Sequence, residues 1–371
     1  MHILLSSTLP RTSPTNTFLS VKMKLLSSLA VVGLSAASSL AQLAFHGVNI
    51  AGFDFGCATD GYCNTTQAAP PLLQYGGSDG YGQMLHFVQN DGYNIFRLPV
   101  GWQYLTNNVL GGVLYPANFE KYYTLVQTCL STGAYCIVDI HNYARWNGTI
   151  IGQGGPTNEQ FAAIWYSLAS QFKYESRVVF GVMNEPHDIP DVILWAGSVQ
   201  AAVTAIRTAG ATSQLVLLPG NDWTSAATIW SDGSGAALLN VTNPAGDKTG
   251  LIIDVHKYLD YDNSGTHANC TTNNTVAAWE PLSAWLRANG RQALNTETGG
   301  GNTASCVEYL CQQRAYQQLN ADVILGYVGW AAGGFATDYV LSEVPVKNTT
   351  TGYWTDTWTV EACLSPRAFV Y

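Results

Sequence analysis

Two glutamates in this chain are placed to do chemistry. Glu185 follows the run Val178-Val179-Phe180-Gly181-Val182-Met183-Asn184 and precedes Pro186; Glu297 lies in Asn295-Thr296-Glu297-Thr298-Gly299. Glu185 sits where an apolar run that reads as a buried strand gives way to polar residues, and Glu297 lies near the end of a shorter strand-like stretch that starts near Arg291. Two carboxylates facing each other across one site suit glycosidic bond hydrolysis, in which one protonates the leaving oxygen and the other attacks or activates water. Glu185 alone could equally be a carboxylate favoured at a helix N-terminus.

The ends of other apolar runs supply the residues such a pair needs. They are Arg97 in Ile-Phe-Arg-Leu-Pro, His141 in Asp-Ile-His-Asn-Tyr, Asn184 beside the first glutamate, His256 and Tyr258 in Asp-Val-His-Lys-Tyr, and Trp330 in Val-Gly-Trp-Ala-Ala. Singly, each has a structural reading, as a hydrogen-bonded histidine, a core counter-charge or a packing tryptophan. Together they make a costly cluster to bury without a use. Arg97 and Tyr258 are expected to keep Glu297 ionised as nucleophile. Glu185 is expected to hold a proton at a raised pKa, with His256 tuning it. Asn184 is placed to bond a sugar 2-hydroxyl, and Trp330 to stack beneath the reacting sugar, with Trp223 farther along. Trp102, Trp146 and Trp195 read as packing.

These residues need a frame that brings strand ends to one rim. Eight strand-like runs start near Phe45, Asn94, Tyr135, Val178, Gln214, Leu251, Arg291 and Val323, and helical segments cover 83–90, 118–131, 157–174, 191–209, 275–289 and 306–319. Alternation of this kind implies right-handed βα crossovers and a parallel sheet. Eight units favour a closed (β/α)8 TIM barrel, an α/β fold with its site at the C-terminal strand ends. A doubly wound sheet is the alternative, but no strand leads into G-x-G-x-x-G. The Gly/Ser/Asn-rich stretches 231–235 and 261–269, and the glycines of 151–155, read as rim loops. The last stretch, 353–371, reads as a cover pinned through Cys363.

Lys22 and Lys24 precede an apolar run from Leu25 to Ala37 and then Ser39-Leu40-Ala41, the pattern of a secretory signal peptide spanning 1–41, with Met23 the expected start and 1–22 a spurious extension. Residues 42–371 then form one catalytic domain. The formal charge is −9, and removing Arg11, Lys22 and Lys24 makes the remainder more acidic, which disfavours nucleic acid and anionic membranes. No later segment is apolar for long enough to span a bilayer. Eight cysteines, all after residue 41, imply disulfides in an oxidising compartment. Short loops make Cys57 with Cys63 and Cys129 with Cys136 the simplest pairs, and the rest stay open. Their spacing matches no tight zinc pattern, and no H-x-H or H-E-x-x-H occurs, so no metal or other cofactor is expected. Sequons at Asn64, Asn147, Asn240, Asn269, Asn273 and Asn348 agree with secretion.

The segments Phe96-Arg-Leu-Pro-Val-Gly-Trp102, Asp139-Ile-His-Asn-Tyr-Ala-Arg-Trp146, Gly181-Val-Met-Asn-Glu-Pro-His187, Leu218-Pro-Gly-Asn-Asp-Trp223, Asp254-Val-His-Lys-Tyr258 and Thr296-Glu-Thr-Gly-Gly-Gly301 together resemble the glycoside hydrolase family 5 cellulases, secreted fungal endo-β-1,4-glucanases in particular. The resemblance implies a retaining double displacement with Glu185 as acid/base and Glu297 as nucleophile, supported by Arg97, His141, Asn184, His256, Tyr258 and Trp330. It also implies the pairs Cys57–Cys63, Cys129–Cys136, Cys270–Cys306 and Cys311–Cys363. The expected partner is a β-1,4-glucan, met outside the cell by a monomer. Two other readings keep the same residues: a retaining enzyme for mannan, xyloglucan or mixed-linkage glucan, and a catalytically silent glycan-binding barrel.

Overall fold

The computed structural model describes residues 42–369, so the signal peptide read over 1–41 lies outside the described residues. Eight parallel strands close on themselves: β1 (Phe45–Ala51), β2 (Ile95–Val100), β3 (Tyr135–Ile140), β4 (Val178–Gly181), β5 (Val216–Pro219), β6 (Leu251–His256), β7 (Ala293–Thr298) and β8 (Ile324–Gly333). Each pairs with its sequence neighbours, and β8 closes on β1, giving the (β/α)8 barrel. Every strand begins within two residues of its expected start, because the apolar runs are long and buried on both faces.

Outside the barrel run α1 (Gly80–His86), α2 (Pro116–Ser131), α3 (Asn158–Phe172), α4 (Val192–Thr208), α5 (Ser234–Leu238), α6 (Glu280–Ala288) and α7 (Ala304–Leu319). The helix expected from Gln83 starts three residues earlier, because the Asp79 carboxylate accepts the Gly82 N–H and caps it. Thr157 and Gln160 form the reciprocal capping box that opens α3. The stretch 231–235 is not wholly a loop, since Ser234 and Gly235 begin α5. In the loop 151–155 the Gly152 N–H donates to Pro156 O and the Gly155 N–H to Ile150 O, which fixes a turn.

The inside of the barrel explains where the polar residues go. One apolar side chain from each strand, Phe45, Ile95, Ile137, Val179, Leu217, Ile252, Leu294 and Val328, forms a core cluster separate from the one under the helices. Side chains alternate along a strand, so those two and four positions further on share the interior. These include Arg97 above Ile95, Asp139 and His141 above Ile137, Asp254 and His256 above Ile252, and Thr296 above Leu294. An apolar floor therefore carries a polar layer, with the rim above it.

The four disulfides join Cys57 to Cys63, Cys129 to Cys136, Cys270 to Cys306 and Cys311 to Cys363. The last ties the segment Val360–Leu364 to α7, where Arg314 donates to the carbonyls of Cys363 and Ser365. That segment also meets the end of β1's crossover, with the Ser365 hydroxyl donating to Asp91 O. The C-terminal stretch thus covers the outside of the seam where β8 meets β1. A Cys311→Ser/Cys363→Ser variant is expected to lose about 3 kcal/mol of stability, read as a lower Tm by calorimetry, with activity retained at 25 °C because the bond is remote from the rim.

Candidate active site

Arg97, wholly buried on β2, is the hub. Its Nη1 donates to Glu297 Oε1 at 2.5 Å and to Asn49 Oδ1 at 3.1 Å, and its Nη2 donates to Asn184 Oδ1 at 2.6 Å and lies 3.1 Å from Asp139 Oδ2. The guanidinium fork thereby fixes Glu297 and Asn184 relative to each other. The Tyr258 hydroxyl donates to the other oxygen of Glu297 at 2.7 Å. Burial would raise the Glu297 pKa, but the charges of His256, Arg97 and His141 and the Tyr258 hydrogen bond outweigh it and hold the carboxyl well below the usual range. Glu297 is therefore held as the anion at neutral pH.

Glu185 has different company. Its Oε1 lies 2.8 Å from His256 Nδ1, and the same nitrogen lies 3.6 Å from Glu297 Oε2. Burial opposes a charged His256, yet the carboxylates of Glu297, Glu185 and Asp254 outweigh it and raise its pKa above the ordinary histidine value. An oxygen of Glu185 and one of Glu297 lie within 4.8 Å of each other, with His256 between. Glu185 is 15% exposed at its side chain against 5% for Glu297, so it faces the open cleft.

Asn184 Oδ1 is taken by Arg97, which turns its Nδ2 outward; that nitrogen is buried and has no partner among the described residues. A buried amide donor without an acceptor is uncommon in a native protein. It lies one residue from Glu185, at the floor of the site. Trp330 stacks on His141 (centroids 5.6 Å, planes 16° apart) and donates from Nε1 to the Tyr339 hydroxyl, so its ring is held from two sides. His141 is in turn fixed by Asp139 Oδ2 at 2.9 Å. Trp223, 38% exposed, lies flat on His187 with centroids 4.0 Å apart. Glu185, Glu297, His141, Tyr258, Trp330 and Trp223 all border one cleft of about 640 Å³.

All nine residues singled out from the sequence therefore meet at this rim or directly beneath it. Trp102, Trp146 and Trp195 are buried in the core, as packing residues. Sequence reasoning missed Asn49, Tyr143, His187, Lys257, Tyr339 and the carboxylate Asp260. Asp260 accepts the N–H groups of Gly265, Thr266 and His267 and so folds the loop beside the cleft. Tyr143 and Lys257 adjoin residues already chosen, and adjacency was their only signal. In the structure, backbone strain marks the same region: Tyr143, Ala144, Glu185, Asp188, Asp222, Trp223 and Thr224 all have positive φ. Such residues gather at functional sites because the surrounding structure must hold them there.

A parallel eight-stranded barrel with an ionised glutamate and a more open one at the C-terminal strand ends is the architecture of a two-carboxylate (β/α)8 glycoside hydrolase. The sequence matches the family model Cellulase (glycosyl hydrolase family 5) over residues 50–335, and the chain belongs to that family. It is 62% identical over 325 residues to Endoglucanase EG-II of Hypocrea jecorina, covering 86% of this chain and 77% of that protein. The crystal structure of Cel5A (EG2) from Hypocrea jecorina (Trichoderma reesei) superposes with a TM-score of 0.86 at 61% identity, covering 88% of this chain and 100% of that one. A manganese dependent endoglucanase, Eg5A of Phanerodontia chrysosporium, is 48% identical over 302 residues, or 81% of this chain and 75% of that protein.

Proposed function

We propose that this chain is a secreted, monomeric endo-β-1,4-glucanase that cleaves internal bonds of cellulose-type glucans with retention of configuration. The observation that carries the reading is the unequal treatment of two neighbouring glutamates. Glu297, bonded to Arg97 and Tyr258, is kept anionic and attacks the anomeric carbon. Glu185, bonded to His256 and open to the cleft, gives its proton to the leaving glycosidic oxygen. The glycosidic C–O bond breaks as the ester to Glu297 forms. Glu185, now a carboxylate, then takes a proton from water, whose oxygen attacks the same carbon and releases the ester. The free Asn184 Nδ2 accounts for recognition of the 2-hydroxyl, where a contact strengthens as positive charge develops on the sugar. Trp330 and Trp223 supply flat faces for sugar rings, at the cleft centre and toward its end.

Carboxyl oxygens within 4.8 Å support retention, since inverting pairs stand roughly 6.5–9.5 Å apart to admit a water. Proton NMR of the first product from cellotetraose is expected to show the β-anomer before mutarotation; an α-anomer overturns the mechanism. Product profiles on cello-oligosaccharides, mannan and barley glucan test the substrate, because specificity among glycans is set by loop contacts to individual hydroxyls.

Glu185, His256 and Glu297 also offer a nitrogen and two oxygens within 4.8 Å, a set able to hold a divalent cation. Arg97 and His256 already place positive charge on the carboxylates, so the reaction as written has no step for a metal. Exhaustive chelation is expected to leave kcat on carboxymethylcellulose unchanged. A loss restored by Mn²⁺ overturns that part of the reading.

A further inference from the structure

Behind Glu185 runs a line of hydrogen bonds ending in a carboxylate that the double displacement does not use. His256 Nδ1 is 2.8 Å from Glu185 Oε1, His256 Nε2 is 2.9 Å from Thr296 Oγ1, and Thr296 Oγ1 is 2.5 Å from Asp254 Oδ1. His256, Thr296 and Asp254 are buried, and the alternation of β6 and β7 puts all three inside the barrel. A threonine hydroxyl has one proton to give. Committed to Asp254, it can only accept from His256, so Nε2 carries a hydrogen. Nδ1, the nitrogen that faces Glu185, is then the position at which the exchangeable proton comes and goes.

We propose that Asp254 is a positioning residue for the acid/base step: through Thr296 it selects the His256 tautomer that faces Glu185, and its negative charge favours the protonated imidazole, setting the alkaline limit of activity. The proposal rests on Glu185 being the proton donor. The charged and titratable groups around Asp254 are His256 on its own strand, Arg97 from β2 and Asp139 from β3. Those around His256 are Glu297, Glu185 and Asp254. Burial lifts the Asp254 pKa to about 6, against the opposing pull of His256 and Arg97. Asp254 is thus ionised on the alkaline side of neutrality, where it has to act. A carboxylate that stabilises protonated His256 keeps it charged to higher pH; without the charge of Asp254, His256 gives up its proton earlier.

The test is the pH dependence of kcat/KM on cellotetraose for Asp254→Asn, Thr296→Val and Thr296→Ser. Asparagine still accepts from Thr296 but carries no charge. Its alkaline limb is expected to move about one pH unit toward acid, with KM and the acid limb unchanged. Thr296→Val is expected to shift the same limb and lower kcat, and Thr296→Ser to restore the wild-type profile. A folded Asp254→Asn with an unmoved alkaline limb overturns the proposal. Should Asp254→Asn not fold, the threonine pair decides, and identical profiles for valine and serine overturn it as well. The underlying reading is checked separately by Glu185→Ala on aryl cellobiosides. That variant is expected to lose far more rate on a poor leaving group than on dinitrophenolate. Equal losses remove Glu185 as proton donor whatever the Asp254 profiles show.

Discussion

Replacing Glu297 by glutamine is expected to lower kcat on cello-oligosaccharides at least about 10⁴-fold while leaving their binding within a few-fold of wild type. The side chain keeps its shape but loses its charge; its amide oxygen can still accept from Arg97 Nη1, while its NH2 faces the Tyr258 hydroxyl, which then accepts instead of donating. The sugar contacts assigned to Asn184, Trp330 and Trp223 stay in place. Calorimetric titration with cellotetraose checks binding, and initial rates check turnover. Glu297→Ala with azide adds a stereochemical readout. Azide entering the space of the missing nucleophile attacks the face that Glu297 faced, so the expected product is an α-glycosyl azide. A β-azide, or turnover undiminished in the glutamine variant, removes Glu297 from the nucleophile's role.

Arg97→Gln is expected to cost about 3–5 kcal/mol of stability near neutral pH and to move the acid limb of kcat/KM upward. Three carboxylates answer to it: Glu297 and Asp139 both lie against its guanidinium, and Asp254 is near enough to raise its pKa further. Without it, two buried anions lose their counter-charge. The pH dependence follows from the depressed Glu297 pKa. A carboxyl whose folded pKa lies below its unfolded value contributes stability that is present above the unfolded pKa and is lost as pH falls through the folded one. In the variant the Glu297 pKa rises and that contribution disappears. The gap in Tm between wild type and variant is therefore expected to be widest near pH 7 and to narrow as the pH falls through the carboxylate range. A gap that is constant with pH means that packing, not charge, accounts for the loss.

The strands were legible because their runs are rich in buried apolar residues, and the start of the helix at 157 because Thr157 and Gln160 satisfy each other locally. The nine site residues were legible because each lies in or just after such a run, and a parallel barrel sends every strand end to the same rim. The loop residues were not. Asp260 matters through backbone N–H groups up to seven residues away, and His187 matters by lying under Trp223, from a different crossover. Asp54 and Asp91 look like ordinary surface acids in the sequence, yet both are buried with raised pKa values. Short loop segments have no period from which a facing direction can be read.

The sequence by itself determined the barrel, the pair Glu185 and Glu297, and the family. These depend on hydrophobic pattern and on residue types at strand ends, which are local properties. Only the tertiary structure decided that Arg97 bonds Glu297 and Asn184 together, that Asn184 keeps a free amide donor, and that Asp254 stands behind Glu185 at the end of a hydrogen-bonded line. Those facts depend on the register between strands distant in the chain, since a shift of one residue would turn Asp254 and His256 out of the barrel. Register is set by how the whole closed sheet packs, and no single segment encodes it.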